Sequence, residues 1–236
     1  MEPEWMDELS IQDSRLTDAL EELRVINRFL GGYSTSFAAI APLLDDHSTS
    51  DPLSILDIGC GGGDFAEEVI TWAHNRRPGF EVHVVGIDYN PATVDWAAKQ
   101  LSSRVSASLS SCITFQCCDA FDLPFADNNF DIVHAALFTH HYNADQVVRL
   151  ISEMDRVASR GIILNDLHRH PAAFLAIIFL TRLFNACAMV RHDAPLSVRR
   201  AFMKDELLRI ASAAGLRRFS LSWRWAFRWL LSTVDY

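Results

Sequence analysis

The sequence predicts an α/β fold: a doubly wound, mostly parallel seven-stranded sheet, with helices before it and a helical insertion ahead of its last two strands. Three observations lead there. Short Ile-, Val- and Leu-rich runs at 53–58, 82–87, 113–117, 130–135 and 161–165 carry little polar interruption, as strands buried on both faces do. Helical stretches near 63–74, 91–101 and 144–158 separate them, and parallel strands require such crossovers. A glycine-rich turn, residues 59–63, joins the first strand to the first of those helices.

In chain order, residues 5–30 hold Leu16, Leu20, Leu23, Ile26 and Leu30 at helical spacing and read as one or two amphipathic helices, ended by Gly31-Gly32. A further helix is expected over 34–44, then a polar loop over 45–51 that contains His47. This divides the chain into an N-terminal helical cover, 1–50, and a main domain, 51–236. Asn90 and Pro91 are an N-cap and first residue for the helix at 91–101. Residues 167–200 form the insertion, and 174–180 is the most apolar stretch of the chain. With Arg182 and Asn185 close by, it falls short of the ~20 apolar residues of a membrane span. It is expected to be a buried helix or an apolar lid. A helix over 203–214, stopped by Gly215, and two final strands complete the sheet. The alternation Trp223-Arg224-Trp225-Ala226-Phe227-Arg228-Trp229 fits a half-buried strand better than a platform for stacking nucleic-acid bases.

Composition narrows the function. Half of the 236 residues are hydrophobic and 22% are charged, a globular balance. Residues 1–166 hold 10 Lys/Arg against 26 Asp/Glu, and residues 167–236 hold 11 against 4. Nucleic acid is therefore not an expected partner, because the half that carries the glycine turn is acidic. The basic C-terminal part is either ordinary surface, or faces an anionic substrate or, transiently, a membrane surface. Five cysteines without metal spacing read as reduced, mostly buried thiols. With no leader visible, a cytoplasmic protein is expected, as monomer or homodimer.

The segment Leu53-Ser54-Ile55-Leu56-Asp57-Ile58-Gly59-Cys60-Gly61-Gly62-Gly63-Asp64 runs from strand into glycine turn into helix. Such glycines let the backbone turn tightly and approach a ligand. Asp88 ends the second strand, where a carboxylate accepts hydrogen bonds from ribose hydroxyls. Asp64 stands where a dinucleotide's pyrophosphate would need to sit, which disfavours a nicotinamide cofactor, and no triphosphate-binding triplet follows. A cationic sulfonium suits this acidic surrounding.

Leu56-Asp57-Ile58-Gly59-Cys60-Gly61-Gly62-Gly63 resembles motif I of the class I S-adenosylmethionine-dependent methyltransferases, whose fold is Rossmann-like. Gly86-Ile87-Asp88-Tyr89-Asn90-Pro91, Cys118-Asp119-Ala120-Phe121-Asp122-Leu123-Pro124-Phe125 and Phe130-Asp131-Ile132-Val133 resemble the motifs that follow it in order. More loosely, Asn27–Gly32, Asn165–Arg169 and Arg191–Arg200 resemble a subgroup of small-molecule methyltransferases akin to quinone-pathway and type III polyketide-associated enzymes. The resemblance implies S-adenosylmethionine as cofactor. Its site would use Asp57, Gly59, Cys60, Gly61, Asp88, Tyr89, Asp119, Ala120 and Ala136, with Arg28 or Tyr33 on the methionine carboxylate. Asp57 is expected to anchor the glycine loop, and the N–H of Cys60 to face the cofactor. Asp119 either contacts the adenine amino group or only forms a turn. Gly31 and Gly32 would be the hinge of a segment that closes over the cofactor.

The acceptor implied is small, lipophilic and phenolic or enolic, methylated on oxygen or ring carbon. The alternatives are a nucleic-acid or protein methyltransferase, or a protein that binds the cofactor without turnover. The loop after the fourth strand, Ala135-Ala136-Leu137-Phe138, lacks the prolines of amino-methylating enzymes. A base is needed for the acceptor proton. Among nine histidines the candidates are His140 or His141 after the fourth strand, His168 beside Asp166, and His192 beside Asp193. Arg191 and Arg199 would help His168 and His192 to meet the acceptor's negative charge. Their spacing is that of no helix-borne ligand set, so no metal is expected.

Overall fold

Ile55, Leu56 and Ile58 are fully buried, which places their strand inside a sheet and not at its edge. The computed structural model describes residues 3–46 and 52–234. In it β1 (Leu53–Ile58) lies between β2 (Val82–Asp88) and β4 (Phe130–Ala136), parallel to both. β3 (Ile113–Cys117) extends the sheet beyond β2, and β5 (Ala158–Leu167) extends it beyond β4. The antiparallel pair β6 (Ser220–Arg224) and β7 (Arg228–Ser232) joins through β7, giving the order β3-β2-β1-β4-β5-β7-β6. This is the mostly parallel seven-stranded sheet expected, with β5 longer at both ends. His47 and most of the polar loop around it lie outside the described residues.

Helices cover both faces. After α1 (Ser14–Phe29), α2 (Gly32–Asp46) and α3 (Asp64–Arg76) pack on one face, with α4 (Pro91–Arg104) and the single turn α5 (Ala107–Ser110) beside α3. α6 (Ala144–Val157) and α9 (Lys204–Ala213) cover the other; between them in sequence come α7 (Pro171–Leu183) and α8 (Ala188–Arg200). The strand pleat divides the core: Leu53 and Ile55 pack with Ile40, Leu44 and Val69, whereas Leu56 and Ile58 pack with Leu150, Ile151 and Met154. The expected Asn90 cap forms, accepting from Ala92 N–H at 3.0 Å, and α6 opens with a reciprocal capping box of Asn143 and Gln146 that the sequence reading did not single out.

Three expectations change. α2 is no cover: Ala39, Ile40, Leu43 and Leu44 are buried under the sheet, so a division at residue 50 would cut a core helix from its strands. The cover at the strands' C-terminal edge is instead α1 with the turn Trp5–Asp7, joined to α8 by Ile11, Leu16, Leu20, Met189 and Val190. Gly31 is no free hinge either. Its φ is +74°, and an added Cβ would stand 2.1 Å from the Trp225 carbonyl oxygen, so glycine is required by close packing.

The third change is in the aromatic stretches. Residues 223–229 fold as a hairpin with a turn at 225–227, not as one strand, and Arg228 is buried within it. α7 is half out of the molecule. Leu175, Phe179 and Leu183, spaced by four, are 65%, 62% and 59% exposed. Among the described residues no helix is long and apolar enough to cross a membrane.

Candidate active site

The sheet's parallel strands end at a cavity of about 510 Å³. Asp57, Gly59, Cys60, Gly61 and Gly62 line it from the loop after β1; Asp88, Tyr89 and Asn90 from β2; Asp119 and Ala120 from the loop after β3; Ala136 from β4. Loop and second strand are locked together. Asp88 Oδ2 accepts the N–H of Gly61 at 3.1 Å, and Oδ1 accepts that of Asn90 at 2.9 Å. Gly59 has φ +67°, and a Cβ there would meet the Phe138 ring at 2.3 Å, so no other residue fits. Five aspartates, 7, 57, 64, 88 and 119, line the cavity with neither Lys nor Arg among the described lining residues. Burial pushes the carboxyls of Asp88 and Asp64 above their ordinary range, partly opposed by hydrogen bonds from the Asn90 and Gly61 N–H groups and from Tyr33. A bound cation relieves that cost, whereas a diphosphate would raise it.

Several expected contacts differ in detail. Asp57 does not hold the glycine loop: its Oδ1 meets His134 Nδ1 at 2.7 Å, and His134 stacks on Phe65 and reaches Ser36 through Nε2. The N–H of Cys60 donates to the Ile87 carbonyl at 2.9 Å, not into the cavity. Of the five thiols only Cys60 is buried; Cys117 is exposed. Tyr33 lines the cavity, its hydroxyl donating to Asp64 at 2.6 Å. Arg28 does not line it and is paired on the surface with Glu68. Asp119 forms its turn, accepting from Phe121 N–H at 2.9 Å, while still lining the cavity.

A second cavity, of about 240 Å³, lies beyond a shared wall of Met6, Leu23, Leu137 and His141. Its surface is mostly apolar: Ile26 and Leu30 from α1, Ala173, Ile177 and Leu180 from α7, Val190 and Val198 from α8, and the hairpin turn. Its polar lining is Glu4, His140, His141, Asp193, Ser197 and the buried Arg228, with Asp166 behind His140. Asp166 receives His140 Nδ1 at 2.7 Å, Thr139 Oγ1 at 2.5 Å and the His140 N–H at 3.1 Å. Burial opposes the charge of Asp166, but His140 and Thr139 hold its carboxyl well below the usual range. His141 Nδ1 lies 2.8 Å from Asp7. A carboxylate only accepts, so His140 carries a proton on Nδ1, and both rings turn Nε2 toward Glu4, at 3.8 and 4.0 Å. Burial works against a charge on His141, yet Asp7, Glu4 and Asp166 outweigh it and raise its pKa.

The N-terminal turn delivers Glu4 and Asp7. Asp193 ties it down by accepting the N–H groups of Trp5 and Met6 at 2.9 and 3.0 Å, and Arg200 reaches Glu4 at 3.3 Å and Asp7 at 3.5 Å. Of the histidines expected at the site, only His141 stands at the wall between the cavities, with His140 beside it in the second. His168 lines neither. Asp166 orients His140 in its place, and His168 packs on Trp229 and His170. His192 also lines neither; it stacks on Trp5 and holds Asp193 at 2.7 Å. Arg191 and Arg199 are exposed. Sequence reasoning missed Glu4, Met6 and Asp7 altogether. The only signal was a run of acids, read there as the absence of a leader.

A family model described as "Methyltransferase domain" matches residues 55–161. Ajmaline N-methyltransferase of Rauvolfia serpentina is 31% identical over 127 residues, 52% of this chain and 40% of that protein. A demethylmenaquinone methyltransferase of Deinococcus radiodurans is 36% identical over 115 residues, 47% of this chain and 40% of that protein. The chain thus spans well under half the length of these relatives. The magnesium protoporphyrin IX methyltransferase of Synechocystis, solved with bound SAH, shares the fold with TM-score 0.57 at 20% identity, over 87% of this chain and 84% of that one. Human N-acetylserotonin methyltransferase, solved with SAM, does so with TM-score 0.58 at 20% identity, over 95% and 56%. With the motifs in order along β1 to β4 and the glycine loop at the strand edge, residues 55–161 match a methyltransferase domain, and the sheet has the class I methyltransferase fold.

Proposed function

We propose that this protein transfers the methyl group of S-adenosylmethionine to a small lipophilic phenol or enol bound in the second cavity. One observation carries the reading: a cavity lined by aspartates and no Lys or Arg meets an apolar cavity at the imidazole of His141. S-adenosylmethionine fits the first, with Asp88 on the ribose hydroxyls and Asp119 near the adenine. The acceptor oxygen attacks the sulfonium methyl in line. The new O–C bond forms as the C–S bond breaks, the thioether leaves neutral, and the acceptor proton passes to Nε2 of His141. Positioning supplies most of the rate, and Asp7 stabilises the imidazolium that results.

Cavity size supports an alkyl-bearing acceptor. An apolar cavity of roughly 150 Å³ binds benzene, so about 240 Å³ accommodates a ring and a short chain. A longer chain must leave past α7 and the hairpin turn, where Leu175, Phe179 and Trp225 are exposed in a region rich in arginine. Such a rim suits contact with an anionic lipid surface. The test is a series of alkyl phenols of rising chain length, incubated with labelled S-adenosylmethionine in buffer and in anionic vesicles. Efficiency should rise with chain length, and the double variant Leu175→Ser/Phe179→Ser should lose only the advantage gained in vesicles. A flat profile would remove the lipophilic acceptor; equal vesicle rates in both proteins would remove the membrane contact.

A further inference from the structure

At the wall between the two cavities, Nε2 of His140 and Nε2 of His141, on rings with centroids 4.3 Å apart, lie 3.8 and 4.0 Å from the Glu4 carboxylate, and the three ligand atoms fall within 4.8 Å of one another. Each group can offer a lone pair there. Ser197 Oγ at 3.0 Å and Arg200 at 3.3 Å satisfy Oε1 of Glu4 but leave the nitrogens unanswered. Converging acceptors in a buried place repel unless a cation stands between them. We propose that Glu4, His140 and His141 bind a divalent first-row transition-metal ion at this wall.

The surroundings are those of a metal site. His140 Nδ1 is hydrogen-bonded to Asp166 and His141 Nδ1 lies 2.8 Å from Asp7, and carboxylates so placed orient metal-bound imidazoles. Bonds of roughly 2.0–2.2 Å require each ligand atom to move inward by less than about 1 Å. The charge also agrees. Glu4, Asp7 and Asp166 touch the two imidazoles, and Arg200 is the cation that reaches them. Arg228 hydrogen-bonds the neutral Asn27, Asn165 and the Leu30 carbonyl and stands in the field of Asp166. Three negative charges against two leave an excess that a bound cation offsets. Two imidazoles and one carboxylate suit Zn²⁺, Co²⁺ or Mn²⁺ better than Mg²⁺, which prefers oxygen ligands.

The ion's role, unlike its binding, rests on the methyl-transfer reading. An acceptor hydroxyl entering the second cavity would fill an open coordination position and lose its proton in the ion's field, replacing the base role of His141. The ion would also pin Glu4, and so the N-terminal turn, to the end of β4.

The test uses the full chain without an affinity tag, stripped with chelator and titrated calorimetrically with ZnCl₂ in the absence of cofactor and acceptor. One equivalent should bind, Co²⁺ should give the visible absorption of a nitrogen- and oxygen-ligated site, and Mg²⁺ should bind far more weakly. Glu4→Gln and His140→Ala should each weaken Zn²⁺ by about 100-fold, and His168→Ala should not. Bound Zn²⁺ should also slow proteolysis within residues 1–10. If His140→Ala fails to fold, Glu4→Gln, which keeps the shape of the side chain and lies outside the sheet, decides. No stoichiometric binding, or equal binding by Glu4→Gln, overturns the site and leaves the methyl-transfer reading standing. A chain that binds Zn²⁺ but methylates no acceptor overturns only the latter.

Discussion

The two cavities share the wall at His141 and are built in different ways. The floor of the first is made of short segments at the ends of adjacent parallel strands, tied across one strand pair as Gly61 is to Asp88, with the N-terminal turn and α1 closing it. The second takes its lining from Glu4 through Arg228, with the N-terminal turn, α1, α7, α8 and the last hairpin each supplying part. The first is acidic and geometrically strict; the second is apolar except for one polar cluster. The cavity proposed for the cofactor rests on a local strand–turn–helix unit, whereas the one proposed for the acceptor is built from elements that come together only when the chain is folded.

Breaking the wall should produce the largest effect. His141→Ala is expected to lower turnover by about 10²–10⁴-fold, the range for a lost general base, while calorimetry shows cofactor affinity little changed. His168→Ala, outside both cavities, should keep turnover within about twofold. Equal losses in the two variants would return the catalytic assignment to the rim of β5.

On the cofactor side, Asp88→Ala should weaken S-adenosylmethionine by ~1.5–3 kcal/mol, the scale for hydrogen bonds to a charged group. Part of that loss comes from the freed glycine loop. Unchanged affinity by calorimetry would sever the first cavity from the cofactor.

A buried carboxylate on α3, outside the lining of both cavities, carries a stability cost of its own. Burial pushes the carboxyl of Glu67, in the first turn of α3, up to about 7, with Arg104 and Arg24 opposing. A raised carboxyl pKa means the folded chain holds its proton longer than the unfolded one. The contribution of Glu67 to stability is therefore fully present below about pH 4.5 and is lost as pH rises through 7, on the order of 2 kcal/mol. Glu67→Gln should flatten that decline, so the difference in melting temperature between variant and parent should shift in the variant's favour from pH 5 to pH 8. A constant difference would show that Glu67 is ionised throughout.

The smallest expected effect belongs to the turn that covers the wall. Asp193→Ala removes two hydrogen bonds, to Trp5 and Met6, worth about 0.5–1.5 kcal/mol each. The KM for the acceptor should rise several-fold with little change in cofactor affinity. A change in cofactor affinity alone would mean that the turn covers the first cavity and not the second.

What the sequence determined by itself is the sheet and the first cavity. Uninterrupted Ile/Val/Leu runs signal strands buried on both faces, and Gly59, Gly61 and Asp88 lie at fixed offsets from strand ends, so the offset alone places them at the edge where a ligand binds. Tertiary structure decided the rest. Periodicity did mark α1 and α2 as helices, but not that α2 would pack under the sheet and α1 over the cavity. The spacing of Asp166 to His168 suggested a pair, yet in a strand neighbours at that spacing share a face without meeting, and Asp166 instead reaches across to His140 on the adjacent strand's loop. Glu4 and Asp7 had no local signal at all. A carboxylate on a short N-terminal turn reads as solvated surface until Asp193 and Arg200, nearly two hundred residues away, draw it to the histidines. Local sequence sets which side chains a strand end presents, but long-range packing alone sets which of them become neighbours.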